Sequence, residues 1–177
     1  MNILQSDKVT LKLIEKVDLP FLMELRQRKE ICEWIIADPL TIEKQQNWFS
    51  SLKDNELYFV IISTQHQTPV GQIGLVDINR QHQRARWTLR IHPNYWRKGY
   101  ARAAMKLFFD YVFNTLNLNK IYGDVFSENV AEVMNLSKAG FKWEGEFEDY
   151  FFHRGKFRSV IFYSMSKKQY EKNTILK

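Results

Sequence analysis

The stretch HPNYWRKGYARAAMK (92–106) places a single glycine between two periodic segments. The residues before it alternate between apolar and polar, as in a strand, and those after it repeat as in a helix. A strand, a glycine and a helix in this order leave main-chain N–H groups free at a helix N-terminus, where the helix dipole also favours an anion. Gly99 lets the main chain approach a ligand closely, and Arg97, Lys98 and Arg102 add positive charge. The stretch predicts a phosphate or pyrophosphate site; a tight turn among solvated cations is the alternative with the same spacing.

A second group of cations lies on the predicted strand RARWTLRIH (84–92). Successive side chains of a strand point to opposite faces, so the apolar residues share one face and the arginines share the other. The apolar face comprises Ala85, Trp87, Leu89 and Ile91, and the polar face comprises Arg84, Arg86, Thr88 and Arg90. These arginines either attract an anionic ligand or pair with carboxylates on adjacent strands.

The composition indicates one globular domain over residues 1–177, with a formal charge of +6 and 45% apolar residues. The net charge fits either a basic surface or an anionic ligand. The cations are dispersed along the chain rather than gathered in one tract, so a nucleic-acid partner is not expected.

Cys32 is the single cysteine of the chain. It excludes an intramolecular disulfide and a multi-cysteine metal site, and no metal is expected. Neither a signal peptide nor a run of about 18 apolar residues is apparent, so we expect no membrane partner and a cytoplasmic location.

Hydrophobic periodicity predicts seven strands and four helices. The predicted strands are 9–15, 57–63, 68–79, 84–92, 120–127, 141–152 and 158–165, and the predicted helices are 18–27, 41–52, one after Gly99 and 129–140. Mixed strands and helices in one short chain imply an α/β (α+β) fold with helices packed on a sheet.

The segment from Ile91 to Gly145 resembles the acetyl-CoA-binding core of the GNAT superfamily of N-acetyltransferases. Within it, the segment resembles the branch of spermidine, ribosomal-protein N-terminal and amino-sugar-nucleotide acetyltransferases. The features that carry this resemblance are LNLNKIY before a strand, Asn129, and GFKWEG after the next helix. The resemblance implies a GNAT fold: a mixed, mostly antiparallel central sheet of about seven strands with helices on both faces.

The resemblance also implies acetyl-CoA as co-substrate and a set of residues that bind it. The family loop has Gln or Arg where Trp96 stands, and because the loop acts through its amides, this departure is tolerable. The implied pyrophosphate-binding amides are those of Arg97, Lys98, Gly99, Tyr100, Ala101 and Arg102. The strand near Leu89 and Ile91 would bind the pantetheine arm through its main chain, and Asn129 would contact the cofactor, cap its helix, or do both.

The implied chemistry needs a proton acceptor for the amine, whose pKa resembles the value of about 10.4 for lysine, and a proton donor for the leaving thiolate. Many relatives have a tyrosine where Leu136 stands, and polyamine-acetylating relatives have a glutamate where Arg86 stands. The substitute candidates are Asp77, Glu144, Glu146, His82 and His92. Each of these carboxylates also fits a solvated surface group, and each histidine fits a structural hydrogen-bonding role.

We expect the acceptor to be a primary amine of a small molecule, with Arg86 and Asp38 as candidate substrate-binding residues. The arginine face favours an anionic acceptor such as an amino-sugar nucleotide, whereas Asp38, Glu43 and Glu56 would suit a cationic one. The order of expectation is amino-sugar nucleotide, polyamine, then protein N-terminus. A CoA-binding regulator without turnover is the alternative from another class. The apolar C-terminal strands fit either a homo-oligomer contact or the core.

Overall fold

A computed structural model of the chain describes residues 3–35 and 41–173. Within these ranges eight strands form a single sheet, in the order β1-β2-β3-β4-β5-β6-β8-β7. The strands are β1 Ile3–Gln5, β2 Val9–Leu13, β3 Leu57–Ser63, β4 Pro69–Asn79, β5 Arg84–Ile91, β6 Lys120–Phe126, β7 Lys142–His153 and β8 Lys156–Ser166. All neighbouring strands are antiparallel except β5 and β6, which are parallel.

Six helices accompany the sheet in the same residue ranges. They are α1 Leu19–Gln27, α2 Lys29–Cys32, α3 Ile42–Ser50, α4 Tyr100–Asp110, α5 Val130–Lys138 and α6 Lys167–Lys172. Short 3-10 turns precede α1 and α4, and α4 continues into a π-helical turn, Tyr111–Thr115. Among the described residues, no helix has both the length and the apolar character needed to cross a bilayer.

The sheet confirms the mixed, mostly antiparallel arrangement that the sequence predicts, with one strand more than seven. The additional strand, β1, has three residues, and α2 has four, which is too short for a periodic pattern to be recognised. The helix α6 was also not predicted, although its sequence SKKQ contains a capping box. Ser166 accepts a hydrogen bond from the main chain of Gln169, whose side chain accepts one from the main chain of Ser166.

The helices α1 and α3 begin differently. Thr41 caps α3, because its hydroxyl oxygen accepts a hydrogen bond from the Lys44 main chain at 3.1 Å. Asp18 occupies the N-cap position of α1, but its carboxylate accepts from the Glu15 main chain at 2.8 Å and therefore closes the preceding 3-10 turn instead of capping the helix.

Apolar side chains pack on both faces of the sheet, as expected for a layered α/β domain. On one face, α1 and α3 cover Val60 through Leu22 and the partly buried Trp48. On the other face, α4 inserts fully buried phenylalanines, and Trp87 of β5 stacks on Phe141 with 5.2 Å between ring centroids. Helices on both faces therefore fix the sheet from which the site below is built.

Candidate active site

The parallel strands β5 and β6 pair at only three positions, Arg84–Arg86 with Lys120–Tyr122. Beyond these residues the two strands separate, so a cleft opens between Trp87 and Gly123. The carboxyl ends of both strands lie at this cleft, and each continues into a helix, α4 or α5. Ligands of α/β sheets commonly bind where parallel strands end and the sheet opens. Among the described strands, none pairs with the edge of β5 that faces the cleft, from Trp87 to Ile91. Apart from the Ile91 carbonyl, which accepts from Trp96, this edge can hydrogen-bond an extended ligand.

The loop after β5 presents main-chain donors to this cleft. Arg97 has φ +59° and Gly99 has φ +80°, so the backbone enters the left-handed region twice before α4. The first main-chain hydrogen bond of the helix runs from Ala103 N to Gly99 O at 3.1 Å. Within the described part of the chain, the N–H groups of residues 97–101 make no main-chain hydrogen bond of standard geometry. These donors and the dipole of α4 have the arrangement expected of an anion site, and the binding of a pyrophosphate here stays a prediction.

Side chains around the loop hold its backbone in place. The indole Nε1 of Trp96 donates to the Ile91 carbonyl at 2.6 Å. His92 is buried; its Nδ1 accepts from the Asn94 main chain at 3.2 Å, and its Nε2 lies 3.2 Å from a carboxylate oxygen of Glu24. These contacts give His92 a structural role. They also show how tryptophan, which replaces the Gln or Arg of the family at position 96, stabilises the loop.

Lys8 is a cation at the loop that sequence reasoning missed. A Cβ atom built on Gly99 would lie 3.4 Å from Cε and 3.8 Å from Nζ of Lys8. The ammonium group also lies 5.2 Å from the ring centroid of Tyr100. Lys8 precedes β2, far from the loop in sequence, so no local pattern could have placed it there.

Asn129 caps α5 and lies on the same side of the sheet opening. Its side-chain oxygen accepts a hydrogen bond from the Glu132 main chain at 3.3 Å. The capping role is therefore present, and its contact with a cofactor stays a prediction.

The arginines of β5 do not form a free anion-binding platform. Arg86 pairs with Asp124 of β6 at 2.5 Å, and Arg90 donates to Thr88 at 3.0 Å. The guanidinium of Arg84 lies 5.9 Å from the ring of Tyr122. Of the two explanations for the arginine face, the structure therefore contains the second for Arg86, which pairs with a carboxylate on an adjacent strand.

The sequence model of the family described as "Acetyltransferase (GNAT) domain" matches residues 8–142 of this chain. The chain belongs to the GNAT acetyltransferase family. The matched residues span the sheet from just before β2 to the start of β7, including the cleft and the loop before α4.

Two relatives and a solved structure extend the likeness over nearly the whole acetyltransferase. The spermidine N(1)-acetyltransferase of Escherichia coli is 32% identical over 168 residues, which cover 93% of this chain and 89% of that protein. The enzyme of the same name from Vibrio cholerae is 29% identical over 157 residues, 88% of this chain and 91% of that one. The crystal structure of the Vibrio cholerae spermidine N-acetyltransferase in complex with CoA and spermine superposes with a TM-score of 0.86 at 28% identity, covering 94% of this chain and 99% of that chain.

The protein is therefore an acetyl-CoA-dependent N-acetyltransferase, as the sequence analysis predicts. The loop of this acetyltransferase fits acetyl-CoA, because free N–H groups at a helix start match a pyrophosphate and the unpaired edge of β5 matches an extended amide chain. The individual assignments, from Leu89 to Asn129, remain predictions of which residues bind it.

The candidate bases of the acetyltransferase differ in their surroundings. Asp77 lies at a bulge of β4, with φ +52° and an exposed side chain. His82 is exposed in the turn between β4 and β5, and Glu146 accepts a hydrogen bond from Ser127 at 2.5 Å. Asp38 lies outside the described residues, so its predicted contact with the acceptor is not placed.

Three donors surround the carboxylate of Glu144. Ser164 donates to it at 2.6 Å, and the ammonium groups of Lys120 and Lys142 each lie 2.9 Å from it. These hydrogen bonds lower the pKa of Glu144 to about 2. Because a base of that pKa holds a proton weakly, Glu144 is poorly suited to accept the amine proton.

The lowered pKa of Glu144 makes the free energy of unfolding of the acetyltransferase depend on pH in the acid range. Since the folded pKa of Glu144 lies below the usual value of 4.5, the unfolded chain binds more protons between about pH 4.5 and about pH 2. The free energy of unfolding is expected to fall across that window as the pH drops, and Glu144→Gln should be less stable at pH 7 with a shallower fall. Urea unfolding between pH 3 and pH 7 measures both; Glu148→Gln, a neighbouring exposed carboxylate on β7, is the matched control. If the free energy of unfolding fell equally steeply with decreasing pH in Glu144→Gln and Glu148→Gln, the lowered pKa of Glu144 would be contradicted.

Proposed function

We propose that the acceptor of this acetyltransferase is a polyamine such as spermidine or spermine. The observation that carries the proposal is the likeness, over 93% of the chain, to a spermidine N(1)-acetyltransferase. The structural neighbour that holds CoA and spermine covers 94% of this chain. Amino-sugar nucleotides are the acceptor class that the arginine face of β5 favours on sequence grounds.

The electrostatic argument against a polycation is weak once the arginines are seen in place. The charge of Arg86 is offset by Asp124, whose side chain is 14% exposed against 44% for Arg86. Burial, with the negative charges of Glu56 and Asp77, raises the pKa of the Tyr58 phenol to about 12, so both carboxylates lie near Tyr58 on β3. The arginines of β5 are therefore accompanied by carboxylates on the neighbouring strands, which lessens their repulsion of a cationic amine.

In the proposed reaction, the chain orients both substrates and moves one proton from the amine. The ammonium form of the acceptor must lose a proton before its nitrogen can attack the thioester carbonyl. Asp77, whose exposed side chain lies at the bulge of β4 next to the Val76–Arg86 pair, takes that proton directly or through water. The main chain of β5 beside the cleft holds the carbonyl in line with the incoming nitrogen.

A second acceptor class is favoured by Arg90. Burial, together with the charge of Arg26, lowers the pKa of Arg90 to about 10. Within the described ranges neither guanidinium forms an ion pair with a carboxylate. Two partly buried cations without a counter-ion suit an amine that also carries an anionic group, which keeps the amino-sugar class as the competing candidate.

Substitutions that neutralise Arg86 or Asp124 should change the KM of the two acceptor classes in opposite directions. We expect Arg86→Gln to lower the KM for spermidine by about threefold, because Asp124 is then left to attract the polycation, and Asp124→Asn to raise it by about threefold. Thiol release from acetyl-CoA over a panel of spermidine, spermine and an amino-sugar nucleotide measures this. Lys168→Gln removes a charge at α6, remote from the cleft, and serves as the control.

The outcomes separate the candidates. If the amino-sugar nucleotide is acetylated, and its KM rises in Arg86→Gln and falls in Asp124→Asn, the acceptor is anionic and the polyamine proposal is wrong. Saturable CoA binding without thiol release for any amine would favour a CoA-binding regulator.

A further inference from the structure

The hydroxyl group of Tyr163 lies where β5 and β6 begin to separate. Tyr163 belongs to β8 and stands opposite Gly123 of β6. A Cβ atom on Gly123 would be 2.7 Å from the Tyr163 hydroxyl oxygen and 3.0 Å from Cζ. The phenol therefore lies across the bare main chain of β6, and any larger residue at position 123 would displace it. Gly123 is also the first residue of β6 beyond its pairing with β5, which puts the hydroxyl at the mouth of the cleft.

On the other side of the cleft, the phenol faces Trp87 of β5. The ring centroids of Trp87 and Tyr163 are 6.4 Å apart, and Phe141 packs edge-on against Tyr163 at 5.3 Å. The indole Nε1 of Trp87 is buried without a hydrogen-bond partner of standard geometry in the described part of the chain. The indole nevertheless lies close enough to the Tyr163 hydroxyl to interact with it, so a phenol and an indole donor stand together where β5 and β6 separate.

A cavity of about 150 Å³ adjoins Tyr163, between α5 and the sheet. Most of its lining residues are apolar, and among them Tyr163 alone has an ionisable side chain. The lining residues are Val125, Val133, Leu136, Ser137, Phe141, Trp143, Ile161 and Tyr163. Leu136, which stands where many family members have a tyrosine, therefore shares this cavity with a tyrosine supplied by a different strand.

The surroundings keep the phenol protonated. Burial raises the pKa of Tyr163, and the negative charges of Glu132 and Asp124 raise it further; the charge of Arg86 and a hydrogen bond with the Trp87 indole act in the opposite direction. A group that holds its proton through neutral pH can donate a hydrogen bond or a proton to an anion that forms beside it.

We propose that Tyr163 gives its proton to the sulfur of coenzyme A when the acetyl group leaves. The amine nitrogen forms a bond to the carbonyl carbon, the carbon–sulfur bond breaks, and its electron pair stays on sulfur. The Tyr163 proton converts that thiolate to the thiol, and the surplus proton of the acetylated amine returns to the phenolate through water. Protons therefore balance without another reactant. This inference rests on acetyl transfer from acetyl-CoA and is the same for any amine.

The first test is Tyr163→Phe, which removes the hydroxyl and keeps the ring. We expect kcat to fall by about 30-fold, somewhat less than a typical general acid contributes, because a thiol of pKa about 8.5 is already a fair leaving group. The KM for acetyl-CoA should stay within about twofold, since the loop before α4 is untouched. Tyr111→Phe, at the far end of α4, is the matched control and should retain the wild-type rate. A wild-type kcat for Tyr163→Phe would overturn the inference.

The second test measures binding and needs no turnover. Wild-type protein is expected to bind coenzyme A about fivefold more tightly than desulfo-coenzyme A, the worth of one hydrogen bond to sulfur, and Tyr163→Phe should abolish the difference. Calorimetry with the two ligands measures this. Equal discrimination in both proteins would contradict a contact between Tyr163 and sulfur. If polyamines are not acetylated, the proposed acceptor fails while this binding result still decides the role of Tyr163.

A third variant relocates the hydroxyl. Because Leu136 lines the same cavity, Leu136→Tyr in the Tyr163→Phe background should recover part of the lost kcat. Recovery would support the cavity as the place where sulfur is protonated, and a rate no better than that of Tyr163→Phe would count against it.

Discussion

Gly99→Glu is expected to weaken acetyl-CoA binding by about 100-fold. A carboxylate about 5 Å from a phosphate charge costs about 3 kcal/mol at an effective dielectric constant of about 20, which corresponds to that factor. The side chain would stand among the free N–H groups of residues 97–101 and beside Lys8, where the diphosphate is expected. Calorimetric titration with acetyl-CoA at low ionic strength measures the change.

Backbone strain at Gly99 has to be separated from this charge effect. Any side chain at φ +80° costs about 1–2 kcal/mol, and Gly99→Gln carries the same strain without the charge. A carboxylate at the start of α4 even interacts favourably with the helix dipole, so Gly99→Glu should melt no lower than Gly99→Gln when ligand is absent. Equal losses of affinity in the two variants would attribute the effect to strain and would contradict an anion site at the loop.

Gly71→Ala is expected to destabilise the fold by about 3 kcal/mol, at the upper end of what overpacking costs. A Cβ atom at Gly71 would overlap the carbonyl oxygen of Arg90 and lie 2.8 Å from Cδ1 of Ile91. Because the first of these is main chain, the clash can be relieved only by separating β4 from β5, which pair at Gly71 and Ile91. Thermal unfolding should show a fall in Tm of about 6–12 °C.

Gly145→Ala is the matched control for Gly71→Ala. Gly145 also lies in a strand of the sheet, and a Cβ atom there has no heavy atom of the described residues within 4 Å outside its own neighbours. Its free energy of unfolding should change by less than about 0.5 kcal/mol. Similar losses in both variants would mean that the close approach of β4 and β5 is not what requires glycine at position 71.

Local patterns predict most of the secondary structure of this protein, because each depends on residues close together in the chain. Strand β3 has the same bounds as its predicted apolar run, and the alternation in β5 correctly separates a buried face from a polar face. The elements that the patterns do not predict, β1 and α2, are too short to repeat a period. The acetyl-donor loop is likewise local, since one strand, one glycine and one helix start are consecutive.

The surroundings of charged residues are less predictable, because their partners lie on other strands. The arginine face of β5 suggests an anionic acceptor until β6 brings Asp124 next to Arg86. Glu144 is a plausible base in the sequence, and only the convergence of Lys120, Lys142 and Ser164 lowers its pKa to about 2. Lys8 reaches the loop before α4 from the other end of the chain.

The sequence by itself therefore determined the strands, the main helices and the glycine junction before α4, since hydrophobic period and a glycine between a strand and a helix are properties of neighbouring residues. Only the tertiary structure decided what meets at the cleft. The register of β6 with β8 places Tyr163 over Gly123, and the early end of the β5–β6 pairing opens the space that its hydroxyl faces. Register and strand divergence arise from packing between segments distant in the chain, so no spacing within one segment could have indicated them.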